Sequence, residues 1–509
     1  MLTPWQQLAD LRGHASPAID LALSQQKWLL ECLNRNQPSV YGSEHHFSRI
    51  STIADYQRQV PIVSYEDIQP YIDDMERGKQ DCLFSGNPVA FERTSGTHSG
   101  QKLVPYSARS LSDFRRAILP WLSGLARHYK IETGYAYWAI SPATRQPEIT
   151  SAGVPIGLPD AAYMGDEMLP FFRDVSAVPA WAGTIEAVND WQLATLYYLI
   201  CSRELVVISV WSPTFLIALT DALVSRKNEI EIILSNGLEI CGQSLAANRS
   251  ALERYQDFIA HYNVRILWPD LKLISCWADA SSKPFTEQIQ QLFSGVPIQS
   301  KGLLMTEGVV TTPDNKGNTV LAANSGFYEF IDQNQKLKLA QELQAGEEYE
   351  LIMTTSGGLY RYRTADLVCC EGYASDLPIL RFIGRKASTD LVGEKITEAF
   401  ANACLDDISG FRMLLPIAEK APGYVLVLEK RPDTETLVRR VEARLCKNPQ
   451  YAYARKMGQL KPLAASPMKN PLQTYLDSRM HGNTRLGDIK IPSLCIDTSI
   501  FDGHIGSPE

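Results

Sequence analysis

Residues 91–105 read Phe-Glu-Arg-Thr-Ser-Gly-Thr-His-Ser-Gly-Gln-Lys-Leu-Val-Pro. Within them Thr94, Ser95, Gly96, Thr97, Ser99 and Gly100 place four hydroxyls and two glycines in seven positions, with Lys102 two residues on. Glycine permits φ > 0 and close backbone approach, so consecutive N–H groups can turn inward as a nest for anionic oxygens. Hydroxyls add donors that rotate to suit, and a lysine adds a mobile point charge. Such a loop suits a polyphosphate. It lacks the G-x-x-x-x-G-K-[ST] spacing of a P-loop NTPase. The same residue types also make ordinary surface turns, so the loop alone leaves both readings open.

Working outward, residues 18–35 carry apolar residues at helical spacing and predict an amphipathic opening helix. Ser64 with Asp67 three residues later predicts a capped helix start. Beyond the loop, a helix is expected from about 108 to 129 and a strand over 135–140. From Trp191 the pattern alternates: helix 191–202, strand 205–211, a helix from Pro213, a helix around 244–262, strand 271–277, helix 284–294 and strand 297–305. Apolar strands separated by helices imply βαβ units and a largely parallel sheet covered on both faces. Residues 327–331, 348–355, 367–371 and 380–383 then read as β-rich structure with glycine turns. After Gly384-Arg385 comes a smaller α+β segment with a helix at 397–406, a hairpin of 412–417 with 424–429, and a helix at 434–446. The fold class expected is therefore α/β. A large multi-subdomain N-terminal domain over 1–384, with mostly parallel sheets and a β-rich part, precedes a small α+β C-terminal domain over 385–509.

Composition bounds the function. A chain of 509 residues exceeds one core. Its 45% hydrophobic and 21% charged residues are those of an ordinary globular protein. A net charge of −8 without a dense Lys/Arg stripe argues against a nucleic-acid surface. The N-terminus has no basic segment followed by an apolar core, so no secretory signal is expected. The most apolar window, 196–219, is interrupted by Arg203-Glu204 and Pro213, so no membrane span is expected. Ten scattered cysteines without C-x-x-C spacing suit a reducing cytoplasm, with neither zinc nor disulfides.

Four downstream stretches suit a nucleotide held by the opening loop. Thr306-Glu307 follows an expected strand, where α/β sheets bind ligands and a carboxylate can hold Mg²⁺ beside phosphates. Glu307 reads equally as a solvated loop acid. In Tyr360-Arg-Tyr-Arg-Thr-Ala-Asp366, alternation suggests a strand with one packed and one wet face, and Asp366 could accept two ribose hydroxyls. Arg385 beside Gly384 is a ribose or phosphate contact, or a charged linker. Lys490, set between Ile489 and Ile491 just before Pro492, is poorly placed for solvent and suits a positioned role.

Together and in this order, Thr94–Lys102, Thr306-Glu307, Tyr360–Asp366, Arg385 and Lys490 resemble the motifs of adenylate-forming enzymes. Val63-Ser-Tyr-Glu-Asp-Ile-Gln-Pro-Tyr-Ile, Gly358-Leu-Tyr-Arg-Tyr-Arg, Phe327-Tyr-Glu-Phe and Glu394-Lys-Ile-Thr-Glu narrow this to the plant auxin-responsive-promoter family of acyl-acid amido synthetases. The resemblance runs from about residue 18 to about 495. It implies ATP and Mg²⁺ as cofactors, a small carboxylic acid and an amino acid as substrates, and no nucleic-acid or membrane partner. By carry-over, Ser95 to Gly100 with Thr94 and Lys102 cradle phosphates, Glu307 binds Mg²⁺, and Thr306 contacts the α-phosphate region. Asp366 takes the ribose, Arg385 the ribose or phosphate side, and Lys395 reaches phosphate or AMP. Lys490 completes the adenylation site from the small domain, so Lys490, Glu307 and Lys102 form the expected catalytic set. The family's small domain swings between half-reactions, which makes 385–389 a hinge candidate.

Three positions depart from the family. Ala365 stands where a glycine commonly precedes the ribose aspartate, His98 interrupts the phosphate loop, and Trp277 replaces small residues near the adenine and acyl pocket. Trp211, Phe215 and Trp277 are the acyl-pocket candidates. The leading reading is an ATP-dependent ligase that adenylates an acid and passes the acyl group to an amino acid. One rival keeps the adenylate and uses coenzyme A or a carrier thiol; another is a non-catalytic small-molecule binder.

Overall fold

The computed structural model describes residues 2–11, 20–94, 102–139, 148–158, 160–386, 388–389, 391–392, 394–417, 422–456, 459–480 and 489–501. The chain divides into two compact units. Met1–Gly134, Gln146–Ser176 and Ser300–Phe382 form the first; Tyr135–Arg145, Ala177–Gln299 and Ile383–Glu509 form the second. Among the described residues, no helix is long and apolar enough to cross a membrane.

The first unit is built on a seven-stranded sheet. Its order is Thr311–Pro313, Thr319–Leu321, Leu377–Arg385, Tyr362–Ala374, Glu348–Thr354, Phe327–Ile331 and Leu337–Leu339. The expected opening helix is Leu21–Asn36, capped by Asp20, whose carboxylate accepts from Leu23 N–H at 3.0 Å. Its apolar stripe of Leu21, Trp28, Leu29 and Leu33 is buried in the same core as Phe327, Phe330, Leu351 and Met353 of the sheet. Gln25, buried on that stripe, donates to the Ala323 and Gly326 carbonyls at 2.6 and 2.8 Å and accepts from Tyr328 N–H at 3.0 Å. Backbone polar groups at the sheet end are thereby satisfied by the helix rather than by water. Ser64 and Asp67 form the expected capping box of the helix Tyr65–Glu76.

The second unit carries the βαβ alternation. Tyr135–Trp138, Leu205–Ser209 and Leu273–Cys276 pair in parallel, and Ile298–Ser300 lies beyond the last of them. The strand Leu205–Ser209 is buried along its whole length. That follows from helices covering both faces, as its unbroken apolar run requires. The hairpin Arg412–Ile417 with Gly423–Glu429 separates two cores. Met413, Leu415, Val425 and Val427 pack with the helices of 177–299, whereas Leu414, Tyr424, Leu426 and Leu428 pack with Val441 and Leu445. Successive strand residues point to opposite faces, so one continuous apolar hairpin serves both.

Several expected boundaries move. The strand expected over 297–305 breaks into Ile298–Ser300 and Leu304–Met305, because Gly302 has φ +77° and no room for a side chain: a Cβ there would sit 2.7 Å from the Thr311 carbonyl oxygen. The helix expected around 244–262 begins at Arg249, where Asn248 caps it, and residues 243–245 form a short strand instead. The segment after Pro213 is two helices, Pro213–Ser225 and Lys227–Asn236, rather than one.

Candidate active site

The opening loop is the connection of a β-hairpin. Arg93 pairs with Leu103 across the strands Ala90–Arg93 and Leu103–Tyr106, and Thr94 N–H donates to the Lys102 carbonyl at 2.9 Å. The hairpin thus closes at the base of the glycine-hydroxyl stretch. Ser95, Gly96, Thr97, Ser99 and Gly100, the expected phosphate cradle, lie outside the described residues. Lys102 has its ammonium 4.8 Å over the Tyr65 ring and 3.6 Å from a Glu66 carboxylate oxygen.

Thr306-Glu307 forms the turn of the tight hairpin Leu304–Met305 with Gly308–Val309. Tyr106, the last residue of the strand entering from the loop, clamps this turn by donating to the Thr306 carbonyl at 2.5 Å. Burial pushes the Tyr106 phenol far above its ordinary range, with the Glu92 and Glu307 carboxylates adding to it, so it stays a donor. Glu307 lines a cleft with Tyr106, Ser110, Asp113, Phe114 and the Thr355-Ser356-Gly357 turn. Gly357 is required there, since a Cβ would lie 2.9 Å from the Pro105 carbonyl oxygen. A larger cavity of about 230 Å³ lies between the Leu21–Asn36 helix and the start of the Ala108–His128 helix, sharing only Asp113 and Ser356 with the Glu307 cleft.

Asp366 sits in a bulge. In the ladder between Glu348–Thr354 and Tyr362–Ala374, Glu350 faces Leu367 and Ile352 faces Arg363, so three residues (364–366) oppose Leu351 alone. Ala365 takes φ +61° at its centre, the left-handed conformation that the missing family glycine would adopt freely. Asp366 N–H bonds to Thr364 Oγ1 at 3.1 Å, and the residue is 2% exposed. A bulge re-aims a side chain away from the ladder, which is the local device that presents this carboxylate.

Both arginines of Tyr360–Arg363 are held by carboxylates; Arg363 is exposed, as the expected wet face requires, whereas Arg361 is buried against that expectation. Arg361 is 5% exposed; it bonds both oxygens of buried Glu329 at 2.9 and 3.1 Å and the carbonyls of Gln57 and Val60. Arg363 makes a bidentate pair with Glu350 at 2.7 and 2.9 Å. Tyr360 and Tyr362 on either side of Arg361 are also buried. Sequence reasoning also passed over Asp113. It is buried, accepts from Ser356 Oγ at 2.6 Å, and faces Arg109 at 3.1 Å and Arg116 at 3.4 Å. Burial outweighs these partners and raises its pKa. The i,i+4 and i,i+3 spacing to the two arginines was the available signal.

In the second unit, Arg385 ends the strand Leu377–Arg385, just after Gly384, whose backbone lies against Ala399 of the helix Glu398–Leu405. Lys395 is exposed at φ +46°, between Glu394 and Ile396, both 0% exposed. The Glu394 carboxylate holds this turn by accepting from Leu391 and Val392 N–H groups and from the Tyr424 hydroxyl. Lys490, expected from its isoleucine neighbours to be poorly placed for solvent, is instead exposed, because Ile489 and Ile491 take the buried positions on either side of it. Its carbonyl accepts from the Tyr475 hydroxyl at 3.0 Å, and its ammonium lies 5.0 Å from the centre of the Trp277 ring. Trp277 in turn packs on Trp211, with ring centres 5.9 Å apart. The structure therefore brings Trp211, Trp277 and Lys490 together. Phe215 is 2% exposed in the core beside Trp191.

The model of the GH3 family N-terminal domain matches residues 19–298, and that of the GH3 family central domain matches 319–385. The chain is 25% identical over 373 residues to the 4-substituted benzoates-glutamate ligase GH3.12 of Arabidopsis thaliana, covering 65% of this chain and 63% of that protein. It is 22% identical to the indole-3-acetic acid-amido synthetase GH3.4 of Arabidopsis thaliana, covering 76% of this chain and 70% of that one. In fold it resembles the GH3.15 acyl acid amido synthetase, with TM-score 0.84 at 17% identity over 99% of this chain and 97% of that one. A 2-hydroxyisobutyryl-CoA ligase superposes at TM-score 0.53 and 12% identity, over 98% and 90% of the two chains. With its family motifs spread across both units and the family's domain models matching most of its length, the chain belongs to the GH3 family.

Proposed function

We propose that this protein is an ATP-dependent acyl-acid amido synthetase. The observation that carries the reading is the Glu307 turn. It is clamped by Tyr106 and lines one cleft with the Thr355–Gly357 turn, whose strand runs on to the bulged Asp366. That a carboxylate for the phosphate side and one for the ribose side belong to the same compact unit supports the reading. The relatives' names give the substrate classes: a carboxylic acid and an amino acid.

The reaction has two steps. The acid's carboxylate oxygen attacks the α-phosphorus of ATP, expelling pyrophosphate and leaving an acyl-adenylate. The amine nitrogen of the amino acid then attacks the acyl carbon, AMP departs, and the amine loses a proton. Carboxylate and triphosphate repel one another, so the protein's part is to align them and oppose their charge. Asp366 takes the ribose hydroxyls, and Lys102, Lys395 and Lys490 supply positive charge. Arg385 meets the ribose or phosphate side. Among the described residues no three His, Cys, Asp or Glu side chains form a metal cage. A Mg²⁺ ion shared with phosphates needs only one or two protein carboxylates, which Glu307 fits; when bound it neutralises phosphate charge. Residues 385–509 act as the lid, with 385–389 as its hinge. Free cysteines suit a reducing compartment, which supports a cytoplasmic setting.

The test is pyrophosphate release from ATP and Mg²⁺ over a matrix of carboxylic acids and amino acids, beside Lys490→Ala, Glu307→Gln and Asp366→Asn. Release that needs both an acid and an amine, and falls at least about tenfold in each variant, supports the ligase. Thioester formation on adding coenzyme A would decide for the thiol ligase, and ATP binding without turnover for a binding protein.

A further inference from the structure

We infer that Trp277 is a positioning residue for Lys490, seating its ammonium on the indole face. The inference rests on the reading of Lys490 as the lysine that serves adenylation. It goes beyond that reading by assigning a task to a side chain that the family motifs leave out.

The backbone of residues 489–495 is tied down. Ile489 and Ile491 are buried in the core shared with Phe411 and Tyr475. The Tyr475 hydroxyl donates to the Lys490 carbonyl at 3.0 Å. Just beyond, Leu414 N–H donates to Ser493 O at 2.8 Å and Cys495 N–H to Leu414 O at 2.9 Å, stitching the segment onto the hairpin. From that fixed backbone the four-carbon stem of Lys490 reaches an exposed position. An exposed lysine samples many rotamers, whereas one that opposes a developing charge needs a single direction.

Trp277 supplies that direction. It is the first residue after the strand Leu273–Cys276, at the carboxyl end where open α/β sheets gather ligands. Its N–H donates to the Trp211 carbonyl at 2.9 Å, and Trp211 occupies the equivalent place two residues past the neighbouring parallel strand Leu205–Ser209. The two indoles pack at 5.9 Å with planes inclined by 42°, so Trp211 braces Trp277. Lys490 Nζ then lies 5.0 Å from the Trp277 ring centre, within the range of an attractive cation–π contact. A tryptophan face is the strongest such seat among the side chains, and phenylalanine gives a weaker one.

The experiment uses the full-length protein with Trp277→Leu, Trp277→Phe, Lys490→Ala and the double variant Trp277→Leu/Lys490→Ala. Acid-dependent exchange of ³²P-pyrophosphate into ATP reads adenylation alone. We expect Trp277→Leu to lower the maximal exchange rate about tenfold while the KM for ATP stays within about twofold, and Trp277→Phe to fall between it and the parent. The double variant should be no slower than Lys490→Ala, since a seat without its occupant has nothing left to lose. An equal factor for Trp277→Leu in both backgrounds would show that the two residues act independently and overturn the inference. A second readout needs no activity. Reductive ¹³C-methylation keeps lysines charged, and the Lys490 resonance, identified by its loss in Lys490→Arg, should carry a ring-current shift that disappears in Trp277→Leu. An unmoved resonance overturns the seat whatever the kinetics. Exchange absent with every acid, beside a shifted resonance, would sink the ligase reading and leave the seat standing.

Discussion

Three residues of the recognised stretches sit at positive φ without being glycine: Arg361 at 49°, Ala365 at 61° and Lys395 at 46°. Such conformations carry strain that the surroundings must hold, and here the restraints are visible. Arg361 is held by Glu329 and two carbonyls, Ala365 by the bulge, and Lys395 by the buried Glu394 beside it. The residue types that suit charge handling were legible in the chain, as Glu307, Asp366 and Lys490. Their restraints were not, because Tyr106, Glu329 and Tyr424 are distant in sequence and ordinary in type. At this scale Ala365→Gly is expected to stabilise the fold. Releasing the left-handed strain is worth about 1–2 kcal/mol, of which the added chain entropy of glycine removes about 0.5–1 kcal/mol. Urea unfolding should show a midpoint raised by a net gain of up to about 1.5 kcal/mol; a lowered midpoint would mean that the bulge is not strained.

Among the elements, the turn at Thr355–Leu359 combines tight packing with a left-handed backbone. Gly358 takes φ +92°, and a Cβ there would lie 2.5 Å from Leu83 Cβ. Backbone strain and overpacking act together at such a site, so Gly358→Ala is expected to cost about 2–4 kcal/mol. Equilibrium unfolding of the purified variant measures it, and a loss below about 1 kcal/mol would show that the 83–84 segment yields easily. Helix starts were readable because their determinants are local: the Ser64–Asp67 capping box is contained in four residues. Breaks such as that at Gly302 were not, since the reason is the Thr311 carbonyl oxygen pressing against it from the next strand. The hairpin 412–429 shows the same limit. Its two strands were expected as a hairpin, but only the packing revealed which core each face joins.

Across the whole molecule, carboxylates set the response to acid. Hydrogen bonds from Thr52 and Ser51 hold Asp55 down at about 2, those from Ser64 hold Asp67 down, and Arg444 lowers Asp407. For a carboxyl held low in the folded state, the unfolded chain takes up its proton first, so its stabilisation is full above the ordinary carboxylate range and lost as pH falls through it. Asp113 and Asp221, raised by burial, contribute in the opposite sense, but they are outnumbered. The urea midpoint is therefore expected to hold steady near neutrality and to fall between about pH 4 and pH 2; a midpoint that rises on acidification would give Asp113 and Asp221 the upper hand. By itself the sequence determined the α/β class, the order of the elements and the identity of the charged groups, because periodicity, caps and motifs are properties of neighbouring residues. Only the tertiary structure decided that Arg361 is a buried partner of Glu329, that Arg363 pairs with Glu350 from the exposed face, and that Trp277 meets Lys490. Those pairings join residues from 13 to more than 200 positions apart. Long-range packing sets them, and no local pattern records it.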